Sequence, residues 1–329
     1  MNIGILGAGT WGNALANLLA GKDYGVTVWS ALPDEIDYLD EHREHFNLPG
    51  VKLDSRIEFT ADIHEAASGK DIVVFATPSQ FIRGTARSAR EHVPQGQLCV
   101  SVAKGIEKDT FLTMSQIVEQ ELAGLAPQLV ALSGPTHAEE VARCMFSTIV
   151  AASEDATAAR AVQEAFATPW MRVYTSDDPK GAEICGALKN VIALAAGAAS
   201  GLGCGDNARA ALITRGLAEM KRLGLAMGCK ESTFYGLAGM GDLIVTCSSE
   251  HSRNNKAGRL IGQGKSVEEA CEEVGMVVEG LNALPAALAL SEKHGVDMPI
   301  THAVDAVVSG RVSADCIIDM LYAREQKPE

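Results

Sequence analysis

The chain has 329 residues, 47% of them apolar, with 42 acidic against 28 basic side chains and a formal net charge of −14. That is enough chain for two domains with sizeable cores, and too apolar to stay disordered. The acidic balance excludes a nonspecific nucleic-acid binder, which needs a basic face, so an anionic ligand must meet a local island of cations and helix N-termini.

The first residues run from the strand-like Asn2–Leu6 into Gly7-Ala-Gly9-Thr10-Trp11-Gly12 and on into the helical ALANLLAGK. This is G-x-G-x-x-G between a strand and a helix, the context in which the motif binds a dinucleotide. Gly7 allows the turn, Gly9 lets backbone approach a pyrophosphate, and Gly12 lets helix pack on strand. The helix N-terminus supplies amide donors. Strand patterns follow at Val26–Ser30, Asp71–Ala76, Leu98–Ala103, Leu129–Ser133, Thr148–Ala152 and Arg172–Thr175. Helical patterns alternate with them, as at Pro78–Glu91 and Thr110–Leu122. Near-continuous apolar strands alternating with helices predict an α/β fold, a doubly wound Rossmann-type parallel sheet covered on both faces.

Beyond residue 177 the strand patterns stop. Ser176-Asp-Asp-Pro179 reads as a helix start, and the remainder reads as helices at Ile184–Gly201, Asn207–Leu223, Arg253–Gly262, Ser266–Glu273, Leu281–His294 and Ile300–Ser309. The expected organisation is a dinucleotide-binding domain over 1–180 and an all-helical substrate domain over 181–329. An active site is expected in the cleft between them, beyond the carboxyl ends of the strands. Ile184–Gly203 approaches membrane-spanning length but carries Lys189 and Asn190, so it reads as the central helix of a soluble domain, with no membrane insertion. Eight scattered cysteines without paired spacing read as free thiols of a reducing compartment. No metal site is expected, and with no signal peptide the cytoplasm is the expected location.

Several residues have the chemistry of a dehydrogenase site. Lys189, inside an apolar small-residue helix, would have its pKa lowered by desolvation and serve as acid and base, unless it snorkels or pairs with a carboxylate. Asp242 and Thr246 fall at i,i+4 on one helix face, although an aspartate before an apolar run is ordinarily an N-cap. Ser252-Arg253-Asn254 opens a helix with a guanidinium, an amide and free backbone donors, which suits a phosphate. Thr136 and Glu139 in Ser133-Gly134-Pro-Thr136-His-Ala138-Glu139 read as a capping box. Lys104 sits at a strand end, where a doubly wound fold binds ligand.

Taken in order, GAGTWG, AKG, SGPTHAEEV, GALKNVIA, NARAALITRGLAEM, GLAGMGDLIVTC, SRN and VVEG resemble the NAD(P)-dependent glycerol-3-phosphate dehydrogenases of the bacterial soluble type, from residue 3 to about residue 310. The resemblance implies reduction of dihydroxyacetone phosphate to sn-glycerol 3-phosphate with a reduced nicotinamide, feeding phospholipid synthesis. It implies Lys189 as general acid and base. Lys104, Gly134, Thr136, Asn190, Asp242, Thr246, Ser252, Arg253 and Asn254 would contact the substrate. Gly7, Gly9, Thr10, Trp11, Gly12, Lys104, Ala138, Arg253, Val277 and Glu279 would contact the cofactor. A small phosphorylated substrate and a homodimer are the implied partners; the small-residue helices Ala193–Gly203 and Ala208–Met220 would suit tight packing or a subunit interface.

Two departures stand out. His137 replaces the phenylalanine common in the family. At the end of the second strand, Val28-Trp29-Ser30-Ala31-Leu32 has neither the carboxylate that bonds adenosine ribose nor the arginine that accepts a 2′-phosphate. Asp34, Glu35 and Arg43 follow, and the sequence leaves NADH against NADPH open. A related β-hydroxyacid dehydrogenase, or a sensor that binds nicotinamide nucleotides without turnover, fits the same layout; the SRN anchor and Lys189 argue for the first reading.

Overall fold

A computed structural model describes residues 1–317; residues 318–329, the end of the expected second domain, lie outside the described residues. The described chain divides into two compact units. One comprises Met1–Lys104 and Leu112–Glu183, and the other Gly105–Phe111 and the chain from Ile184 onward.

In the first unit the elements run β1 (Asn2–Leu6), α1 (Thr10–Ala20), β2 (Gly25–Trp29), α2 (Pro33–His42), β3 (Ile57–Thr60), α3 (Ile63–Ala67), β4 (Ile72–Phe75) and α4 (Ile82–Ala89). They continue with β5 (Leu98–Ser101), α5 (Met114–Glu121), β6 (Gln128–Ser133), α6 (Ala138–Ala142), β7 (Ser147–Ala152), α7 (Ala156–Phe166) and β8 (Met171–Ser176). Among the described residues the strands form an eight-stranded sheet in the order β3-β2-β1-β4-β5-β6-β7-β8. The order reverses between β1 and β4, the switch point of a doubly wound sheet, with β1 pairing both β2 and β4 in parallel. Burial on both faces explains the continuous apolar runs: Ile3, Ile5, Val26, Val28, Ile72 and Val74 share one core, and Leu6, Val73, Phe75 and Cys99 another.

The parallel expectation needs one correction. β6 and β7 are antiparallel, Leu132 opposite Ala151, because the short α6 returns the chain beside β6 without a crossover. β3 escaped the sequence reading. Its four residues, Ile57-Glu-Phe-Thr60, show only partial alternation, and pairing with β2 decides the conformation. The helix expected from Thr110 begins at Met114, where Gln116 Oε1 accepts from Thr113 N at 3.0 Å.

In the second unit follow α8 (Pro179–Gly201), which starts in the first unit, then α9 (Asp206–Ala226), α10 (Glu231–Tyr235), α11 (Asp242–Ser248), α12 (Arg253–Gly262), α13 (Val267–Val274), α14 (Glu279–His294) and α15 (Pro299–Val308). α8 is long and apolar enough to span a membrane by composition, but 89% of its apolar window is buried within the protein. Its surroundings explain its small residues. A Cβ on Gly197 or Gly201 would stand 2.2 Å from a carbonyl of α12, and one on Gly258 or Gly262 would stand 2.1 or 2.2 Å from a carbonyl of α8. Backbone therefore packs on backbone, which fixes the start of α12 against α8.

Candidate active site

The first unit contributes a site made largely of backbone. Gly7 has φ +129°, and a Cβ there would lie 2.6 Å from Ala76, so the turn requires glycine. A Cβ on Gly12 would lie 2.0 Å from the Gly7 carbonyl oxygen, so α1 closes directly on the turn. Gly9 differs from both, because a Cβ there would enter open space. Its missing side chain leaves room for a ligand, and no side chain caps the α1 amides behind it. The residues present thus fit a pyrophosphate. Thr10 and Trp11, half-buried, open α1. Asn13, directly after the last glycine of the motif, was missed by the sequence reading. It is fully buried and donates Nδ2 to the carbonyls of Ala8 and Gly9, which holds the loop.

At the carboxyl end of β6, Gly134 has φ +153° and its carbonyl is a node. It accepts from Lys104 Nζ at 3.3 Å, from Thr136 N at 2.8 Å and from Thr136 Oγ1 at 3.2 Å. Three of the residues named from sequence therefore meet at one oxygen. The capping box expected of Thr136 and Glu139 is not formed. His137 takes the N-cap position of α6, Ala138 begins the helix, and the Thr136 hydroxyl is spent on Gly134.

The second unit contributes buried side chains. Lys189, on α8 and 5% exposed, donates Nζ to Asp242 Oδ1 and, at 2.6 Å, to Thr246 Oγ1. The Thr246 hydroxyl in turn donates to the Asp242 carbonyl at 2.6 Å. Asp242, 1% exposed, is not an N-cap, because Gly241 occupies that position. A π-helical turn at Leu237–Gly241 delivers Asp242 to the first position of α11, facing Lys189. An isolated buried ammonium would be costly, and the carboxylate compensates it while fixing where Nζ points. Lys189 thus lies in an apolar helix and pairs with a carboxylate at once. The neighbouring Cys247 thiol is pushed up to about 12 by burial, which keeps it protonated and unreactive.

At the next residue of α8, Asn190 Oδ1 accepts from Asn254 Nδ2 at 2.9 Å, and Asn254 Oδ1 accepts from Gly280 N at 2.8 Å. This chain joins α8, α12 and the start of α14, where Val277 and Glu279 lie half-buried. Ser252 caps α12 by accepting from Asn255 N at 3.2 Å. Arg253 takes the first position of the helix; it is exposed and makes no ion pair among the described residues. An uncommitted guanidinium at the N-terminus of a ten-residue helix suits a dianion. Among the described residues no cluster of His, Cys, Asp or Glu could hold a metal.

A dinucleotide turn at the head of a doubly wound sheet, followed by a helical unit with a buried, carboxylate-oriented lysine, defines a two-domain nicotinamide-dependent dehydrogenase. Residues 2–159 match the family described as NAD-dependent glycerol-3-phosphate dehydrogenase N-terminus, and residues 178–319 match the corresponding C-terminus. The chain belongs to the NAD-dependent glycerol-3-phosphate dehydrogenase family, and it is an NAD(P)-dependent oxidoreductase. It is 57% identical to glycerol-3-phosphate dehydrogenase (NAD(P)+) 2 of Lactobacillus delbrueckii subsp. bulgaricus, over 99% of this chain and 98% of that one. It is 50% identical to glycerol-3-phosphate dehydrogenase (NAD(P)+) of Agathobacter rectalis, over 99% and 97%. The crystal structure of glycerol-3-phosphate dehydrogenase from Coxiella burnetii superposes with a TM-score of 0.94 at 33% identity, covering 98% of this chain and 99% of that one. Matches running through both units favour this family over the related β-hydroxyacid dehydrogenases.

Proposed function

We propose that the enzyme interconverts dihydroxyacetone phosphate and sn-glycerol 3-phosphate, and that its product supplies phospholipid synthesis. The observation that carries this reading is Lys189, buried and aimed by Asp242 and Thr246, in the same unit as the uncommitted Arg253 at the start of α12.

When bound, the reduced nicotinamide supplies a hydride to the substrate carbonyl carbon. Gly7, Gly9, Thr10, Trp11 and Gly12 hold its pyrophosphate, with Ala138, Val277 and Glu279 as further contacts. Lys189 Nζ donates a proton to the carbonyl oxygen as that oxygen gains charge, and accepts it back in the reverse direction. Asp242 keeps Nζ oriented, and Lys104 stabilises negative charge on oxygen. Arg253, Ser252 and the free amides of α12 take the phosphate, with Asn190, Asn254, Thr246, Gly134 and Thr136 as supporting contacts. This is the cation island that a protein of net charge −14 needs for an anionic substrate. The family resemblance adds a cytoplasmic homodimer, which sedimentation at working concentration tests.

The direct experiment follows reduced-nicotinamide absorbance with dihydroxyacetone phosphate, beside unphosphorylated hydroxyacids assayed in the oxidative direction. Turnover restricted to the phosphorylated substrate is expected. Turnover of hydroxyacids alone, or nucleotide binding with no turnover, would overturn the reading.

A further inference from the structure

We propose that Glu35 makes this enzyme select NADH over NADPH, an inference that rests on the dinucleotide site described above. In a doubly wound sheet the adenosine ribose lies against the carboxyl end of β2, where an acidic side chain accepts from the ribose hydroxyls. Here that end abuts the glycine turn directly, since Gly7 N donates to the Trp29 carbonyl at 2.8 Å. The strand end itself carries only Ser30 and Ala31. The carboxylate comes instead from the first turn of α2. The Ser30 hydroxyl, 6% exposed, donates to Glu35 Oε2 at 2.5 Å and accepts from Leu32 N at 3.2 Å. A buried hydroxyl therefore draws Glu35 back to the β2 terminus. At the neighbouring strand end the same device recurs. Ser30 N donates to the Thr60 carbonyl at 3.2 Å, and Thr60 Oγ1 donates to Glu65 Oε2 at 2.6 Å.

The cations on this side of the sheet do not offset these anions. Arg43 gives Nη1 to the Ile57 carbonyl at 2.6 Å, Nη2 to Asp40 at 2.5 Å and Nε to the Asp40 carbonyl at 3.1 Å. Lys52 pairs with Glu44 at 3.0 Å, and Arg56 pairs with Asp54 at 2.5 Å and with Asp23. Lys70 donates to Thr27 Oγ1 at 2.7 Å. Burial holds the His45 imidazole below its ordinary value despite Glu35 nearby, so at neutral pH it brings no charge. A ribose 2′-hydroxyl finds an acceptor here, whereas a 2′-phosphate meets a fixed carboxylate with no free cation to answer it. Selection by repulsion of the wrong ligand is the physical basis.

Titration of the substrate-free protein with NADH and with NADPH, by nucleotide fluorescence or calorimetry, tests the proposal. The expected result is NADPH binding at least about tenfold weaker, with the gap narrowing as salt screens the carboxylate. Glu35→Gln keeps an acceptor but no charge and should bring the NADPH dissociation constant down about tenfold with little change for NADH. Glu35→Ala should also weaken NADH. Thermal unfolding checks that each variant is folded, and Ser30→Ala, which frees Glu35 without removing it, should shrink the gap partway. Equal affinities in the unaltered protein, failure of either nucleotide to bind, or a ratio unmoved in folded Glu35→Gln would overturn the proposal. An NADH preference in binding with no turnover of dihydroxyacetone phosphate would break the substrate reading and leave this one standing.

Discussion

The two units carry candidate residues of different kinds. The first uses backbone: a turn closed by Gly7 and Gly12, open space at Gly9, and the Gly134 carbonyl as a node for Lys104 and Thr136. The second uses buried side chains: Lys189, Asp242 and Thr246 in contact, and Asn190 linked through Asn254 to Gly280. Binding a dinucleotide asks for shape and amide dipoles, which a short contiguous turn supplies. Moving a proton and holding a phosphate ask for charges held at fixed points, which requires helices distant in sequence to pack without slack.

The sharpest way to break that contrast is Lys189→Ala. A positioned acid of this kind is worth roughly 10²–10⁴ in rate, so turnover should fall by at least that range while nucleotide binding persists. Steady-state assays beside a nucleotide titration check it, and activity within tenfold of the unaltered enzyme sinks the assigned role.

Two glycine substitutions separate fold from binding in the first unit. Gly12→Ala should destabilise by about 1–3 kcal/mol or more, because its Cβ meets a backbone oxygen that cannot move away. Gly9→Ala places its Cβ in open space, so the thermal midpoint should hold while nucleotide affinity drops. Equal loss of stability in both variants would show that the turn is structural only.

Helix anchoring in the second unit carries a pH dependence. Glu219 on α9, 1% exposed, accepts from Ile300 N at 2.6 Å and from Thr301 N and Oγ1 at 3.2 Å at the start of α15. Burial pushes its carboxyl up to about 7 from an ordinary 4.5. The folded state thus binds more protons than the unfolded state between those values, so stability falls as pH rises through that window. The loss is on the order of 3 kcal/mol, and denaturant unfolding at pH 5 and pH 7.5 should show it. Glu219→Gln should flatten this slope; an unchanged slope would locate the effect elsewhere.

Arg253→Ala tests the phosphate anchor of the second unit. Loss of one charge-assisted contact, about 1.5–3 kcal/mol, should raise KM for the phosphorylated substrate with nucleotide binding preserved, and added guanidinium should restore part of the activity. A change confined to nucleotide affinity would move Arg253 out of the phosphate site.

Legibility in the sequence followed the same division. The GAGTWG turn needs only neighbours along the chain, so glycine spacing between a strand and a helix reveals it. The helix Arg253–Gly262, opened by Ser252-Arg253-Asn254, was legible for the same local reason. Lys189, Asp242 and Arg253 were legible as candidates only, and the family resemblance assigned their roles. Thr136 misled, because its spacing to Glu139 matches a capping box, while packing turns its hydroxyl to Gly134. Asn13 passed unnoticed because one polar residue in an apolar helix carries no periodic signal.

By itself the sequence determined the alternation of strands and helices, the glycine turn and the change to an all-helical pattern near residue 177, since each depends on periods of two or 3.6 residues and on turn chemistry. Tertiary structure alone decided the antiparallel β6–β7 pairing, the membership of Gly105–Phe111 in the second unit, the backbone contact of α8 with α12, and the return of Glu35 to the end of β2. Such contacts join residues separated along the chain by anything from five to more than fifty positions, and their energy depends on distance in space, which no local pattern encodes.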